Sequence, residues 1–308
     1  MPPATDSRGI SSGRQWVYQC SVLSELTTLL FISFDTPKWL QACRIQFQHL
    51  SRGDDAITTE AIQNVDKSGS KVQGMFAEIA PRYDFVNRML SGGIDTWWRR
   101  ITVKRAPPPP EGSVLDVCTG TGDLALAYAA RAASHVRVVG SDFCKPMLDR
   151  GIEKSAARNV PVEWIEADAM NLPFLDSSFD LVTVAFGLRN IAETDQGLAE
   201  MARVCKPGGR LAILEFSLPK NWAIRKGYLW YFRNVLPRIG NTIAHNHADA
   251  YTYLNQSVEE FPSGEALATL IKKAGFARVD QFPLTLGIAT LSIATKTESS
   301  KQNEITDE

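Results

Sequence analysis

Cysteine is sparse in this sequence of 308 residues, and its placement excludes more than it suggests. Cys20, Cys43, Cys118, Cys144 and Cys205 are odd in number and show no Cys-x-x-Cys spacing, so neither a zinc site nor a disulfide framework is expected. Histidine is scarcer: His49 and His135 stand alone, only His245 and His247 are neighbours, and no metal is expected. Charge of one sign is lacking too. The 33 Lys and Arg nearly cancel the 34 Asp and Glu, leaving a formal charge of -1, which gives no general attraction for phosphate backbones and argues against nucleic acid as a partner. There is no long hydrophobic run. Val22 to Phe34 is interrupted by Ser24, Glu25, Thr27 and Thr28 and falls short of the roughly 20 apolar residues that span a bilayer. The amino-terminal stretch also lacks the charged, apolar, small-residue order of a secretory signal. A reducing cytoplasmic location is the expectation.

What is present is enough apolar material, 44% of residues, for one large core with appendages, although the length also permits two smaller domains. Residues 1–65 carry no sustained periodicity and stand apart in composition. They read as an amino-terminal extension, with a disordered tail, an upstream start codon and a targeting segment left open. From Lys71, the apolar residues Val72, Met75, Phe76, Ile79, Tyr83 and Val86 recur at spacings of three and four, as on one helical face bent near Pro81. A second helix with Trp97, Trp98 and Ile101 must stop at the run Pro107 to Pro110, which supplies no backbone donors. Apolar runs then alternate with helical segments: Ser113 to Val117, Val136 to Ser141, Val162 to Glu166, Asp180 to Phe186 and Leu211 to Phe216 predict a parallel sheet. The short connection between Ala277 to Phe282 and Ile288 to Thr295 predicts an antiparallel hairpin instead. The domain is expected over 66–296, with a cap segment at about 218–258 and a polar tail at 297–308.

The chemistry-bearing residues follow the strands. Val114-Leu115-Asp116-Val117-Cys118-Thr119-Gly120-Thr121-Gly122-Asp123-Leu124 reads as a buried strand, a glycine turn and a helix from Leu124 to Ala133. Gly120 and Gly122 let the backbone approach a ligand because no Cβ intervenes. A turn that binds nothing is the competing reading. Asp142, at the end of the second strand and about 20 residues beyond the turn, is placed to accept hydrogen bonds from both ribose hydroxyls of a nucleoside. Asp168, ending the third strand, suits an adenine amino group or, equally, a helix cap.

Later segments decide between nucleotides. Asn171-Leu172-Pro173-Phe174-Leu175-Asp176-Ser177-Ser178-Phe179-Asp180 and Lys206-Pro207-Gly208-Gly209-Arg210 resemble the class I methyltransferase pattern. Three longer stretches are similar to the ubiquinone/menaquinone biosynthesis C-methyltransferase family: Tyr83 to Trp98, Phe186-Gly187-Leu188-Arg189-Asn190, and Arg203 to Ser217. Val86 and Asp95 depart from it, standing where Met and His are usual. The resemblance covers about three quarters of the chain. It implies a Rossmann-like α/β fold with a mostly parallel seven-stranded sheet, an antiparallel carboxyl-terminal hairpin and helices on both faces. It also implies S-adenosyl-L-methionine as cofactor, held by Gly120, Thr121, Gly122, Asp142, Asp168 and Ala169. Ala185 replaces a serine that often contacts the cofactor in relatives.

The implied substrate is a prenylated quinol, methylated on a ring carbon. A neighbouring hydroxyl must lose its proton for that carbon to become nucleophilic, and a cation at contact distance favours the loss. Arg189 is the expected cation and Asn190 the orienting amide; an ion pair between Arg189 and a surface carboxylate such as Glu193 is the bland alternative. His245, Asp249, Tyr251 and Tyr253 are open candidates for the proton acceptor. Trp222 to Tyr253, with Tyr228, Trp230, Tyr231 and Phe232 among Arg225, Lys226, Arg233 and Arg238, is expected to cap the site, face an isoprenoid tail and make peripheral contact with anionic lipid; ordinary packing with a solvated charged face competes. A demethylmenaquinol substrate is favoured over a polyprenyl-methoxy-benzoquinol. Methylation of another phenol or a sterol, a non-catalytic nucleotide-binding scaffold, and a nicotinamide-dependent oxidoreductase (no Tyr-x-x-x-Lys pair supports it) are the alternatives. A homo-oligomer is left open.

Overall fold

Runs of Val, Leu and Ile, each closed by a polar or glycine turn, form the strands, because such residues pack well on both faces of a covered parallel sheet. The computed structural model describes residues 69–235, 253 and 256–298. Seven strands join in the order β3-β2-β1-β4-β5-β7-β6: β1 (Ser113–Val117), β2 (Arg137–Asp142), β3 (Glu163–Glu166), β4 (Phe179–Ala185), β5 (Cys205–Phe216), β6 (Phe276–Leu284) and β7 (Ala289–Lys296). The first five are parallel. β7 is antiparallel to both β5 and β6, so the expected hairpin is present with β7 inserted between its partners.

Two boundaries differ clearly from the sequence reading: the helix expected from Leu124 to Ala133 spans Asp123–Ala129, and the fifth strand starts earlier than expected. The Lys206 to Arg210 segment, expected to precede the fifth strand, is part of β5, whose pairing with β4 jumps from Phe179 opposite Cys205 to Leu181 opposite Arg210. Glycine makes this irregularity possible. Gly208 has φ +73°, and a Cβ on Gly209 would lie 2.8 Å from both the Cys205 Sγ and the Lys206 carbonyl oxygen.

Side chains alternate across the sheet, as strand geometry requires. Leu115, Val117, Val182, Val184, Leu211 and Ile213 face one layer, where they meet Leu198 and Met201 of a helix at Thr194–Val204 and Leu267 and Ile271 of another at Glu265–Lys273. Val114, Val138, Leu181, Ala212 and Leu214 face the opposite layer, against Trp98, Leu124 and Tyr128. Eight of the helices among the described residues are, in chain order, α1 (Gly69–Ile79), α2 (Tyr83–Leu90), α3 (Ile94–Arg105), α4 (Asp123–Ala129), α5 (Lys145–Arg158), α6 (Thr194–Val204), α7 (Trp222–Trp230) and α8 (Glu265–Lys273).

The amino-terminal helices position the site. The bend expected near Pro81 is a 3₁₀ turn, Ala80–Arg82, that separates α1 from α2. Gly92 and Gly93, at φ +60° and +78°, then turn the chain into α3, which ends at Arg105 and is capped by Ala106 before the prolines. Ala80 packs with Phe76, Tyr83, Phe143, Cys144 and Met147, and this cluster brings α2 over the glycine turn, where Asp84 meets Thr121. Among the described residues, no helix is long and apolar enough to cross a membrane.

Candidate active site

The turn after β1 is built from backbone conformations that few residues tolerate. Cys118, Gly120 and Gly122 all have positive φ, 51°, 57° and 78°, and Gly122 caps α4. Asp116 lies fully buried beneath the turn, accepting from Thr119 Oγ1 at 2.6 Å and Thr183 Oγ1 at 2.7 Å. Burial outweighs these bonds and pushes its pKa up to about 6. Asp142, buried at the end of β2, accepts from the Gly120 N–H at 2.8 Å and the Cys144 N–H at 2.9 Å; burial likewise raises it to about 6. Burial, followed by the Asp142 and Asp116 charges, pushes the Cys118 thiol well up and keeps it protonated.

Two cavities open at this end of the sheet. A narrow cleft of about 50 Å³ runs along the turn and is lined by Asp116, Gly120, Thr121, Asp123, Asp142 and Ala185 among others. A larger cavity of about 560 Å³ lies beyond it, walled by Trp98, Phe186, Phe216, Ile224, Tyr228 and Ile288, with Arg189 in its lining. Tyr83, Arg99 and Phe186 line both and form the wall between them. Phe186 holds a left-handed conformation, φ 59°, costly for a bulky residue and of the kind that gathers at functional sites. Its carbonyl accepts from Arg189 Nη1 and from Asn190 Nδ2.

The residues singled out in the sequence separate into groups. Gly120, Thr121 and Asp142 line the cleft, and so does Asn190; Gly122, Asp168 and Ala169 do not. A Cβ on Gly122 would come within 2.2 Å of the Trp164 ring, so its lack of a side chain serves packing. Asp168 is exposed and accepts from the Met170 N–H at 2.9 Å, closing a local turn where no helix begins. Thr121 gives its hydroxyl to Asp84 Oδ1 at 2.5 Å. Arg189 is buried and pairs with buried Glu215 at 2.8 Å, not with Glu193. Its Nε–H is buried with no hydrogen-bond partner among the described residues. Asn190 Oδ1 accepts from the Tyr253 hydroxyl at 3.2 Å. His245, Asp249, Tyr251 and Arg238 lie outside the described residues, as do residues 1–65 and most of the polar tail.

Three participants were missed by the sequence reading. Lys154 of α5 donates to Asp84 at 2.8 Å, to Thr121 at 3.1 Å and to Asp123, linking α2, the glycine turn and α4. Arg99 of α3 is held by Asp95, one turn earlier, at 2.6 Å. Asp116 passed as an ordinary strand residue. The Arg99 and Asp95 spacing of four was a visible signal; the Lys154 contacts, 31 to 70 residues apart, gave none. Among the described residues, no cluster of His, Cys, Asp or Glu could hold a metal.

Known proteins resemble this arrangement in fold and in sequence. A SAM-dependent methyltransferase structure from Thermotoga maritima superposes with a TM-score of 0.52 at 19% identity, covering 73% of this chain and all of that one (100%). An S-adenosyl-L-methionine-dependent methyltransferase structure from Methanococcus maripaludis gives 0.51 at 17%, covering 72% and 94%. At such identities the likeness speaks for the fold. The ubiquinone/menaquinone biosynthesis C-methyltransferase UbiE of Geotalea daltonii is 47% identical over 227 residues, 73% of this chain and 96% of that protein. The demethylmenaquinone methyltransferase of Deinococcus radiodurans is 48% identical over 228 residues, 74% of this chain and 93% of that protein. The model of the ubiE/COQ5 methyltransferase family matches residues 63–296, and the chain belongs to that family.

Proposed function

We propose that the protein transfers a methyl group from S-adenosyl-L-methionine to a ring carbon of a prenylated quinol, demethylmenaquinol in the favoured reading and a polyprenyl-methoxy-benzoquinol in the alternative. The observation that carries this is the pair of cavities divided by Tyr83, Arg99 and Phe186: a polar cleft suited to a nucleoside beside a larger apolar chamber suited to a ring and its tail. The names of relatives from Deinococcus radiodurans and Thermus thermophilus, both demethylmenaquinone methyltransferases, favour the naphthoquinol.

The cleft fits the cofactor. Asp142 is buried, and among the described residues its two oxygens receive only backbone N–H groups, which leaves lone pairs for two ribose hydroxyls. An ideal Cβ on Gly120 would touch only Met147 Cε, at 3.7 Å, so the turn is open to a ligand. Asp168 and Ala169 remain assigned to adenine in this reading, and Gly122 supports the turn. When bound, the cofactor supplies an electrophilic methyl carbon on a cationic sulfur.

The protein's own residues prepare the acceptor. A phenol titrates near 10, so only about one quinol in a thousand is ionised at pH 7 without help. Arg189, which lines the chamber, helps as a charge-assisted donor to the quinol oxygen; its pairing with Glu215 fixes the guanidinium and tempers its net charge. Asn190, whose amide is engaged by Phe186 and Tyr253, acts as a positioning residue. The apolar chamber excludes water that would otherwise solvate the opposed charges. Residues of α7 and the cap rest on a lipid surface that delivers the prenylated substrate.

The test is incubation with labelled methyl donor and each reduced quinone in turn. Label is expected on demethylmenaquinol, and Arg189→Ala is expected to lower kcat by about 10²-fold. Incorporation into the benzoquinol alone selects the alternative; binding of S-adenosylhomocysteine without turnover of either selects a scaffold.

A further inference from the structure

The cleft beside the glycine turn contains more negative charge than positive. Its lining includes three carboxylates, Asp116, Asp123 and Asp142, and Arg99 is the one Lys or Arg among the described residues that line it. Each carboxylate has a distinct situation. Asp142 faces the position argued above for a ribose. Asp123 is taken by Lys154. Asp116 receives two threonine hydroxyls and has no salt bridge to a cation.

Arg99 is differently placed from the other cations nearby. Lys154 has three N–H donors and meets three acceptors, Asp84, Thr121 and Asp123, so its capacity is used. Arg88 is half-exposed and reaches Asp123 only at 3.7 Å. Arg189 lines the other cavity and is tied to Glu215. The Arg99 guanidinium has a single hydrogen bond among the described residues, from Nη1 to Asp95 Oδ2, while Ser91 Oγ occupies the other Asp95 oxygen at 2.8 Å. It lies 5.5 Å from the Phe186 ring centre. Its side chain is only 12% exposed. A nearly buried guanidinium that lines the cleft, is held by Asp95 and has four of its five donors uncommitted among the described residues is arranged to receive a planar anion in bidentate fashion.

We propose that Arg99 binds the α-carboxylate at the amino-acid end of the methyl donor, a site that rests on the cofactor reading above. The donor's amino-acid end is a zwitterion, and the cleft lining offers both complements besides Asp142: the Arg99 cation for the carboxylate and the Asp116 anion for the ammonium. Gripping that end fixes the sulfur against the wall of Tyr83 and Phe186, beyond which the acceptor ring sits. Arg99 is thereby a binding residue of the donor, and its place in the dividing wall couples donor position to the acceptor chamber.

The experiment is calorimetric titration with S-adenosylmethionine and with its decarboxylated form, which keeps the adenosyl sulfonium and the amine but lacks the carboxylate. Wild type is expected to bind the decarboxylated ligand 10-fold to 100-fold more weakly. In Arg99→Gln, the affinity for S-adenosylmethionine is expected to fall by a similar factor, while affinity for the decarboxylated ligand changes less than about twofold. Arg99→Lys is expected to restore part of the preference. Because Arg99→Gln leaves the Asp95 carboxylate buried and unpaired, the double variant Asp95→Asn/Arg99→Gln repeats the measurement without that defect. Equal loss for both ligands in the double variant, or no loss for either, would overturn the assignment. A wild type that binds neither ligand defeats the cofactor reading as well, and is told apart by that blank titration.

Discussion

Asp116 shows what a buried carboxylate costs this fold. Its carboxyl titrates at about 6 in the folded protein against an ordinary 3.8, so between about pH 4 and 6 the native state holds a proton that the unfolded chain has released. Stability associated with this group is therefore present below about pH 4 and lost as pH rises through 6, a difference of roughly 3 kcal/mol at most. Asparagine fits the same place, because an amide can give its oxygen to one hydroxyl and its NH₂ to the other. In thermal or urea unfolding of the ligand-free protein, Asp116→Asn is expected to be more stable than wild type by about 1 to 3 kcal/mol at pH 7.5, and the gap should close by pH 4. A constant gap across that range would mean that ionisation is not the source. The gain should come with weaker binding of the methyl donor, if the carboxylate faces its ammonium.

At the scale of elements, the contact that matters is the one holding α2 across the glycine turn. Lys154 joins Asp84 of α2 to Asp123 of α4, with side chains less than a third exposed except for Asp84 at 33%. Burial alone would raise the Asp123 carboxyl, yet it sits below its usual value because the Lys154 and Arg99 cations outweigh burial. This stabilisation is present above the ordinary carboxylate pKa and lost as pH falls through the lowered one, so the tie weakens only in strong acid. Lys154→Met removes the bridge and leaves two carboxylates close together. Hydrogen exchange is expected to quicken across residues 83–90 with little change in β1 and β4, reflecting a local loss of about 1 to 3 kcal/mol. Uniform quickening across the sheet would show that Lys154 supports the whole fold instead. Elements were the most legible level of the sequence: periodicity and turn residues located every strand, since apolar alternation and glycine turns act locally. Pairings across the sheet were hidden. Glu215 on β5 meets Arg189 after β4 because those strands are neighbours, and nothing in a linear reading distinguishes it from Glu193. Gly122 read as a ligand-facing glycine, because the Trp164 ring that fills its missing Cβ arrives from β3, the far side of β2.

For the whole molecule, the proposed contact with lipid has a candidate surface beside the chamber proposed for the prenylated ring. α7 presents Trp222 and Trp230, 75% and 60% exposed, eight residues apart and hence near one helical face. Leu286, 72% exposed, belongs to the β6–β7 turn, whose Thr285 and Ile288 line the same chamber as Ile224 and Gly227 of α7. These apolar groups therefore lie near the chamber that would take the substrate. Among the described cations of this region, Arg233 is bound by Glu259 at 2.8 Å, while Arg225 and Lys226 are exposed. Each such cation near an anionic surface contributes about 1 kcal/mol, whereas burying the exposed part of a tryptophan contributes roughly 3 kcal/mol. The tryptophans should dominate. In vesicle co-sedimentation, Trp222→Ser/Trp230→Ser is expected to lower binding by more than tenfold on neutral and anionic vesicles alike, while Arg225→Gln/Lys226→Gln lowers it only a few fold and only on anionic ones. Dominance of the charge pair would place attachment in electrostatics. Wild-type protein that stays in the supernatant with both vesicle types would mean that the substrate reaches the chamber without the protein touching lipid.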